Sequence, residues 1–110
     1  MANTFKLKTK ANVGVTTVGI YTAPSATTTV VIGITLSNTS GSGVNVGVAV
    51  SRTSASKEDI HLLKNAPIPQ GSSLEFMGGN KVVLETNDQI NINSDTNDSV
   101  DAALTIMEIT

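Results

Sequence analysis

The chain has no cysteine, no tryptophan and a single histidine, His61. Without cysteine there is neither a disulfide framework nor a thiolate metal site. Any metal would have to rest on carboxylates and one imidazole. Aromatic residues number three, Phe5, Tyr21 and Phe76, which is little material for the stacking platforms that hold bases. Long apolar runs are missing as well: none exceeds the length of Val30 to Ile34, far short of the ~20 residues that span a bilayer. The opening "MANTFKLKTK" lacks the apolar segment of a signal peptide, so the expectation is a chain made and kept, or assembled, in a cytoplasm.

Charge is scarce too. Charged residues make up 15% of the chain and the net charge is -2, against roughly 25% charged residues in typical soluble domains. Such a balance gives no long-range attraction for polyanions, and neither nucleic acid nor membrane is an expected partner. Serine, threonine and asparagine carry the polarity instead. A small monomer with so few charges lacks a usual solubility device: either the chain is unusual, or much of its surface is covered by other chains.

What is present is β-branched. Twelve valines, nine isoleucines and fifteen threonines are stiff at χ1 and suit a pleated sheet better than a helix. Period-two alternation recurs along the chain, and no sustained helical stripe does. In "TFKLKTK" Phe5, Leu7 and Thr9 share one face and Lys6, Lys8 and Lys10 the other. "TTTVVIGITLSN" predicts Val30, Ile32, Ile34 and Leu36 on one face, and "VNVGVAVS" places Val44, Val46, Val48 and Val50 likewise. With "NTSGSG" between them, the two read as a hairpin. Residues 55–64 read as a loop leading into a strand, with a capping box at Ser56 and Asp59 as the helical alternative. "APIPQG" is an extended path that turns at Gly71. "GGN" and "TND" then read as further hairpin turns, and "SVDAALTIMEIT" as a long last strand. The whole predicts one domain, residues 1–110, folded as an all-β antiparallel sandwich of about nine strands, jelly-roll or Ig-like.

Reactive constellations are hard to find. A catalytic triad needs a base with positioned partners, and His61 in "EDIHLLK" has none in view. Glu58 and Asp59 would face opposite sides of a strand. Glu75 and Glu85 would approach only across the "GGN" hairpin, where solvated charge is the simpler reading. "SDTNDSVD" gathers Asp95, Asn97, Asp98 and Asp101, but a calcium loop would want glycine at its sixth position and glutamate at its twelfth, where Val100 and Ile106 stand. "GSGVNVG" is off by one residue from a dinucleotide fingerprint, and no phosphate loop exists. The expectation is no enzyme, no cofactor and no metal.

Five segments carry a resemblance: "MANTFK", "VGIYTAPSATTTVVIGITLSN", "LLKNAPIPQGSSLEF", "KVVLETNDQI" and "DAALTIMEI". In this order the chain resembles small, low-charge β-sandwich virion proteins of tailed bacteriophages, notably those of phages infecting marine cyanobacteria. Such proteins often have glycine where this one has Asn87, and asparagine also tolerates the left-handed region that turn needs. The resemblance implies a multicopy structural protein of the virion, assembled in the host cytoplasm, as a capsid decoration or cement protein or a neck component. A tail or fibre component, or a carbohydrate- or receptor-binding sandwich module, is the alternative. Charge deficit and resemblance together imply a homo-oligomer, a trimer being favoured, with major capsid, neck or tail proteins as further partners. If the valine faces point inward, Val31, Gly33, Thr35, Asn45, Gly47 and Ala49 form an uncharged outward patch. That patch is the expected protein interface, with the Lys6, Lys8 and Lys10 edge as the second.

Overall fold

The computed structural model describes residues 2–52, 58–76 and 81–110. Among the described residues there are nine strands: β1 (Asn3–Val13), β2 (Val18–Thr22), β3 (Thr28–Asn38), β4 (Val44–Ser51), β5 (Ile60–Ile68), β6 (Ser73–Phe76), β7 (Val82–Leu84), β8 (Gln89–Ser94) and β9 (Val100–Ile109). One sheet runs β1-β9-β3 with β6 and β7 both on the far side of β3; the other runs β2-β8-β4-β5. β6 pairs with Ile34–Ser37 and β7 with Thr29–Val31. They are one edge strand, interrupted where β3 itself bulges between Val31 and Gly33.

Counted that way, the pairings nest. β4 pairs with β5, β3 with β6 and β7, β2 with β8, and β1 with β9. A long hairpin tipped by the β4–β5 connection has been rolled so that successive pairs fall alternately in the two sheets. This is the jelly roll, and the Ig-like alternative is set aside. The core lies between the sheets, where Val44, Val46, Val48 and Val50 from β4 meet Leu36 and Ile34 from β3 and Leu104 and Ile106 from β9, all buried.

Three expectations need correction. Val31, expected outside, is fully buried, while Val30 and Ile32, expected inside, sit half-buried on the outer side. The bulge is the cause. Ile32 is an extra residue opposite the Ile106–Thr105 step of β9, so the inward positions switch from Thr29 and Val31 to Ile34 and Leu36. Second, β3 and β4 are not a hairpin; they belong to different sheets. "NTSGSG" is an arch across one end of the sandwich, held by buried Asn38. Its Nδ2 donates to the carbonyls of Ser42 (2.8 Å) and Ile68 (2.9 Å), and its Oδ1 accepts from Ser40 N at 2.9 Å. Third, β6 and β7 pair with β3 and not with each other, so Glu75 and Glu85 do not face across a hairpin. The "GGN" residues between them lie outside the described residues.

The other turns keep their chemistry and change their job. Ser72 N donates to Pro69 O (3.1 Å) with Gly71 at φ 71°, the left-handed third position of a type II turn. Asp88 N donates to Glu85 O (3.0 Å) with Asn87 at φ 69°. Both carry the chain from one sheet to the other. In the ambiguous stretch, β5 begins at Ile60, so the loop-then-strand reading holds where residues are described; Ser56 lies outside them.

Candidate assembly surfaces

Alternation along β3 and β4 makes the expected patch, but their placement splits it. Gly33 and Thr35 are on the outside of one sheet and Asn45, Gly47 and Ala49 on the outside of the other. Val31 is in the core. No single surface contains the six residues.

On the β2-β8-β4-β5 sheet the outward residues of the central strands β8 and β4 are amides and small groups. Gly19, Asn91, Ala49 and His61 stand in register across all four strands, and Asn93 faces Gly47. A Cβ on Gly47 would lie 2.6 Å from Asn93 Oδ1, so the asparagine side chain lies over the glycine. Gln89 Nε2 donates to Thr22 Oγ1 at 3.1 Å.

The other outer face is apolar at the end near the chain termini. Phe5, Met107, Val30 and Val83 form one row across β1, β9, β3 and β7. Phe5 is 69% exposed, Leu7 64% and Val83 57%, while Met107 and Ile109 are half-buried beside them. Further along, small residues Thr9, Ala103 and Thr35 leave a shallow depression of about 280 Å³. This face was missed in the sequence. Alternation in "TFKLKTK" separates the apolar from the lysine side, and nothing local says which side is in.

β1 reverses the usual assignment. Its lysines lie on the core side, since Lys6, Lys8 and Lys10 pair with Ile106, Leu104 and Ala102, all buried. They stay wet because β1 is an edge strand. Lys6 Nζ lies 2.8 Å from Glu108 Oε1. Buried Glu108 also accepts from Tyr21 Oη at 2.5 Å, and Tyr21 Oη lies 2.8 Å from Thr29 Oγ1. Lys6 chiefly, then Tyr21, holds the Glu108 carboxyl below the usual glutamate range. Burial, then the Glu108 contact, pushes the Tyr21 phenol up to about 12. The cluster ties the two sheets together near the chain ends.

The open edge of β1 can be read residue by residue. Ala2 and Thr110 exchange both backbone bonds, at 3.1 and 2.9 Å. In an antiparallel ladder such pairs alternate, so Thr4, Lys6, Lys8 and Lys10 turn their N–H and C=O groups toward β9. Those of Asn3, Phe5, Leu7 and Thr9 point to the open side. The strand ends in a bulge at Ala11 and Asn12, where Asn12 has φ 57° and donates its N–H to Asp101 Oδ1 at 3.0 Å.

Remaining candidates serve the frame. Arg52 Nε contacts both Asp88 carboxylate oxygens at 3.1 Å, and its Nη2 pairs with Glu85. Asp95 Oδ1 accepts from Asn45 N (3.1 Å), which makes "SDTNDSVD" a turn pinned to β4. His61 is exposed on edge strand β5. Among the described residues no three histidines or carboxylates are grouped to hold a metal ion, and no helix is long and apolar enough to cross a membrane.

No protein-family model and no curated protein sequence matches the chain. Solved structures do resemble it in fold. A chain from the disulfide-linked pili of Bacillus endospore appendages superposes with a TM-score of 0.57 at 14% identity, covering 99% of this chain and 87% of that one. A chain of the T13 viral particle of IBDV gives a TM-score of 0.57 at 13% identity over 96% of this chain. One from infectious bursal disease virus Gx strain gives 0.57 at 12% over 98%. The present chain spans only 30% and 32% of those two viral chains. At such identities the likeness is one of fold.

Proposed function

We propose that the chain is a non-enzymatic structural protein of a tailed-phage virion, present in many copies as a capsid decoration, cement or neck component. The observation that carries this is the pair of outer faces, which on the central strands β8 and β9 show one charged residue, Asp101. A free monomer would ordinarily carry lysine and glutamate there, while a subunit with covered faces need not. The fold likeness to chains of a viral particle supports the reading. A homo-oligomer, with the trimer as the favoured state, is part of this proposal and rests on the same deficit together with the resemblance.

The fold likeness to a pilus chain along most of its length favours a second reading, a subunit of a filament. Such a filament could not be disulfide-linked, because the chain has no cysteine. Mass spectrometry of purified particles, with localisation of the chain in a particle reconstruction, separates the two. Many copies at symmetric positions are expected. Absence from particles, with filaments formed by the isolated protein in electron micrographs, would overturn the virion reading in favour of the second.

A further inference from the structure

We propose that the open edge of β1 is a docking site for an extended, acidic–apolar alternating segment of another protein, which adds to the sheet as a further strand. Three observations converge on it. First, Asn3, Phe5, Leu7 and Thr9 present to the open side backbone N–H and C=O groups that have no strand partner among the described residues, as the Ala2–Thr110 exchange dictates; such a row is a template for a strand. Second, Phe5 and Leu7 are largely exposed on the outer face next to this edge, so an incoming strand would need apolar side chains on that side to cover them. Third, Lys6, Lys8 and Lys10 line the inner side, and among the described residues only Lys6 has a carboxylate partner. The alternate residues of the incoming strand would therefore be aspartate or glutamate.

The same lysines argue against a second copy of this chain as the occupant. Two β1 strands paired antiparallel about a two-fold axis place both lysine rows on one face, directly opposed, and like charges across strands are destabilising. Lysines on an edge blunt pairing of like with like, and they leave a partner of opposite charge free to pair. The proposal rests on the reading of the chain as an assembling subunit only in expecting a protein partner. Its chemistry comes from β1 alone.

The test uses the full chain, isotopically labelled, and an eight-residue peptide alternating valine with glutamate or aspartate. Amide exchange and chemical shifts are followed by NMR. Expected are protection of the Phe5, Leu7 and Thr9 amides, little change at Lys6 and Lys8, and no binding of the same peptide with lysine in place of its acids. Lys8→Glu with Lys10→Glu should weaken the acidic peptide roughly tenfold, two cross-strand charge pairs being reversed. These lysines are exposed or half-exposed, and an unchanged spectrum away from β1 confirms that the variant is folded. No perturbation at millimolar peptide, equal binding of the basic peptide, or perturbation at β5 or β6 instead would overturn the proposal. So would a free protein already dimeric with those three amides protected, since a second copy would then hold the edge. None of these outcomes bears on whether the chain is found in particles, so this proposal and the structural reading fail separately.

Discussion

Down the middle of one outer face run Gln89, Asn91 and Asn93 of β8; down the middle of the other run Ala103, Thr105, Met107 and Ile109 of β9. Both strands are central, both nearly lack charge on the outside, and both bury branched residues on the inside. The outsides differ in what water makes of them. Amide groups keep their hydrogen bonds with water or with each other, so the β8 face loses little by staying bare. The row Phe5–Met107–Val30–Val83 holds apolar area in water, and covering it gains roughly 25 cal/mol for each Å² removed. Uncharged is therefore not the same as sticky. The charge deficit is shared by both faces, and exposed apolar area in a row across the sheet is found on the β9 side.

The largest effect is expected where the β9-side sheet changes from outside to inside within one residue. Val31→Lys should abolish cooperative folding, because an ammonium at a fully buried site has no partner. Val30→Lys, one residue earlier on the half-exposed side, should melt within a few degrees of the parent. Circular dichroism melts of the two decide the matter. If both unfold, or both fold, the bulge at Ile32 is misplaced and the apolar row with it.

Next comes the link that fastens β1 and the β9 side to the other sheet. Tyr21→Phe removes the hydroxyl that bonds Glu108 and Thr29 and should cost about 1–2 kcal/mol in denaturant unfolding, since the buried Glu108 carboxylate loses a donor and the Thr29 hydroxyl its acceptor. Two pH arms follow from the shifts. Glu108 is held low by Lys6 and Tyr21, so its contribution is present at neutral pH and is lost as pH falls below the ordinary glutamate range through the lowered folded value. Tyr21 is raised from 10.0 to about 12, so its contribution is present below pH 10 and fades as pH rises toward 12. Tyr21 is the only tyrosine, which lets the phenolate absorbance report it alone. A phenol titrating at its ordinary value in the folded protein would show that the cluster does not exist.

Smaller again is the contrast of the faces themselves. Phe5→Ser with Leu7→Ser should reduce binding of a hydrophobic dye while leaving stability within about 0.5 kcal/mol, as exposed positions usually do. Asn91→Ser with Asn93→Ser should change neither. Equal dye binding by both pairs would erase the distinction drawn between apolar and amide surface.

How much of this was legible beforehand depends on the range over which each feature is determined. The β4 valines were readable because strict alternation without an inserted residue is a local property. Asn87 and Gly71 were readable because a left-handed backbone restricts residue type at the position itself. Val31 was not: an extra residue in β3 matches no local pattern, and it is visible only against the partner strand β9. Nor was the partnering of β3. "NTSGSG" suits a hairpin or an arch, and the choice lies with Asn38 reaching Ile68, thirty residues away. The apolar outer face escaped for the same reason. Whether Phe5 or Lys6 points inward is set by the long pairing of β1 with β9, close to the chain ends.

The last expected effect is the finest, because it changes assembly and scarcely the fold. Gly33 lies on the outer side of β3, in register with Thr105, and a Cβ there would meet nothing within 4 Å. Gly47 lies on the amide face, where a Cβ would press on Asn93 Oδ1 at 2.6 Å. That oxygen ends a flexible side chain, so it can swing away at small cost. Both Gly33→Lys and Gly47→Lys should therefore fold, each lysine reaching water, with thermal midpoints close to the parent. They should part company in the particle or the oligomer. A lysine rising from the β9 side stands among Leu7, Thr35 and the apolar row, with Glu75 opposite Thr35, and covering that face would strip water from its charge. A lysine on the amide face meets groups that can solvate it. Oligomer sizing and incorporation into particles should thus fall for Gly33→Lys and hold for Gly47→Lys. The reverse pattern would mean that the amide face is the covered one, and that its asparagines bond to a neighbour rather than to water.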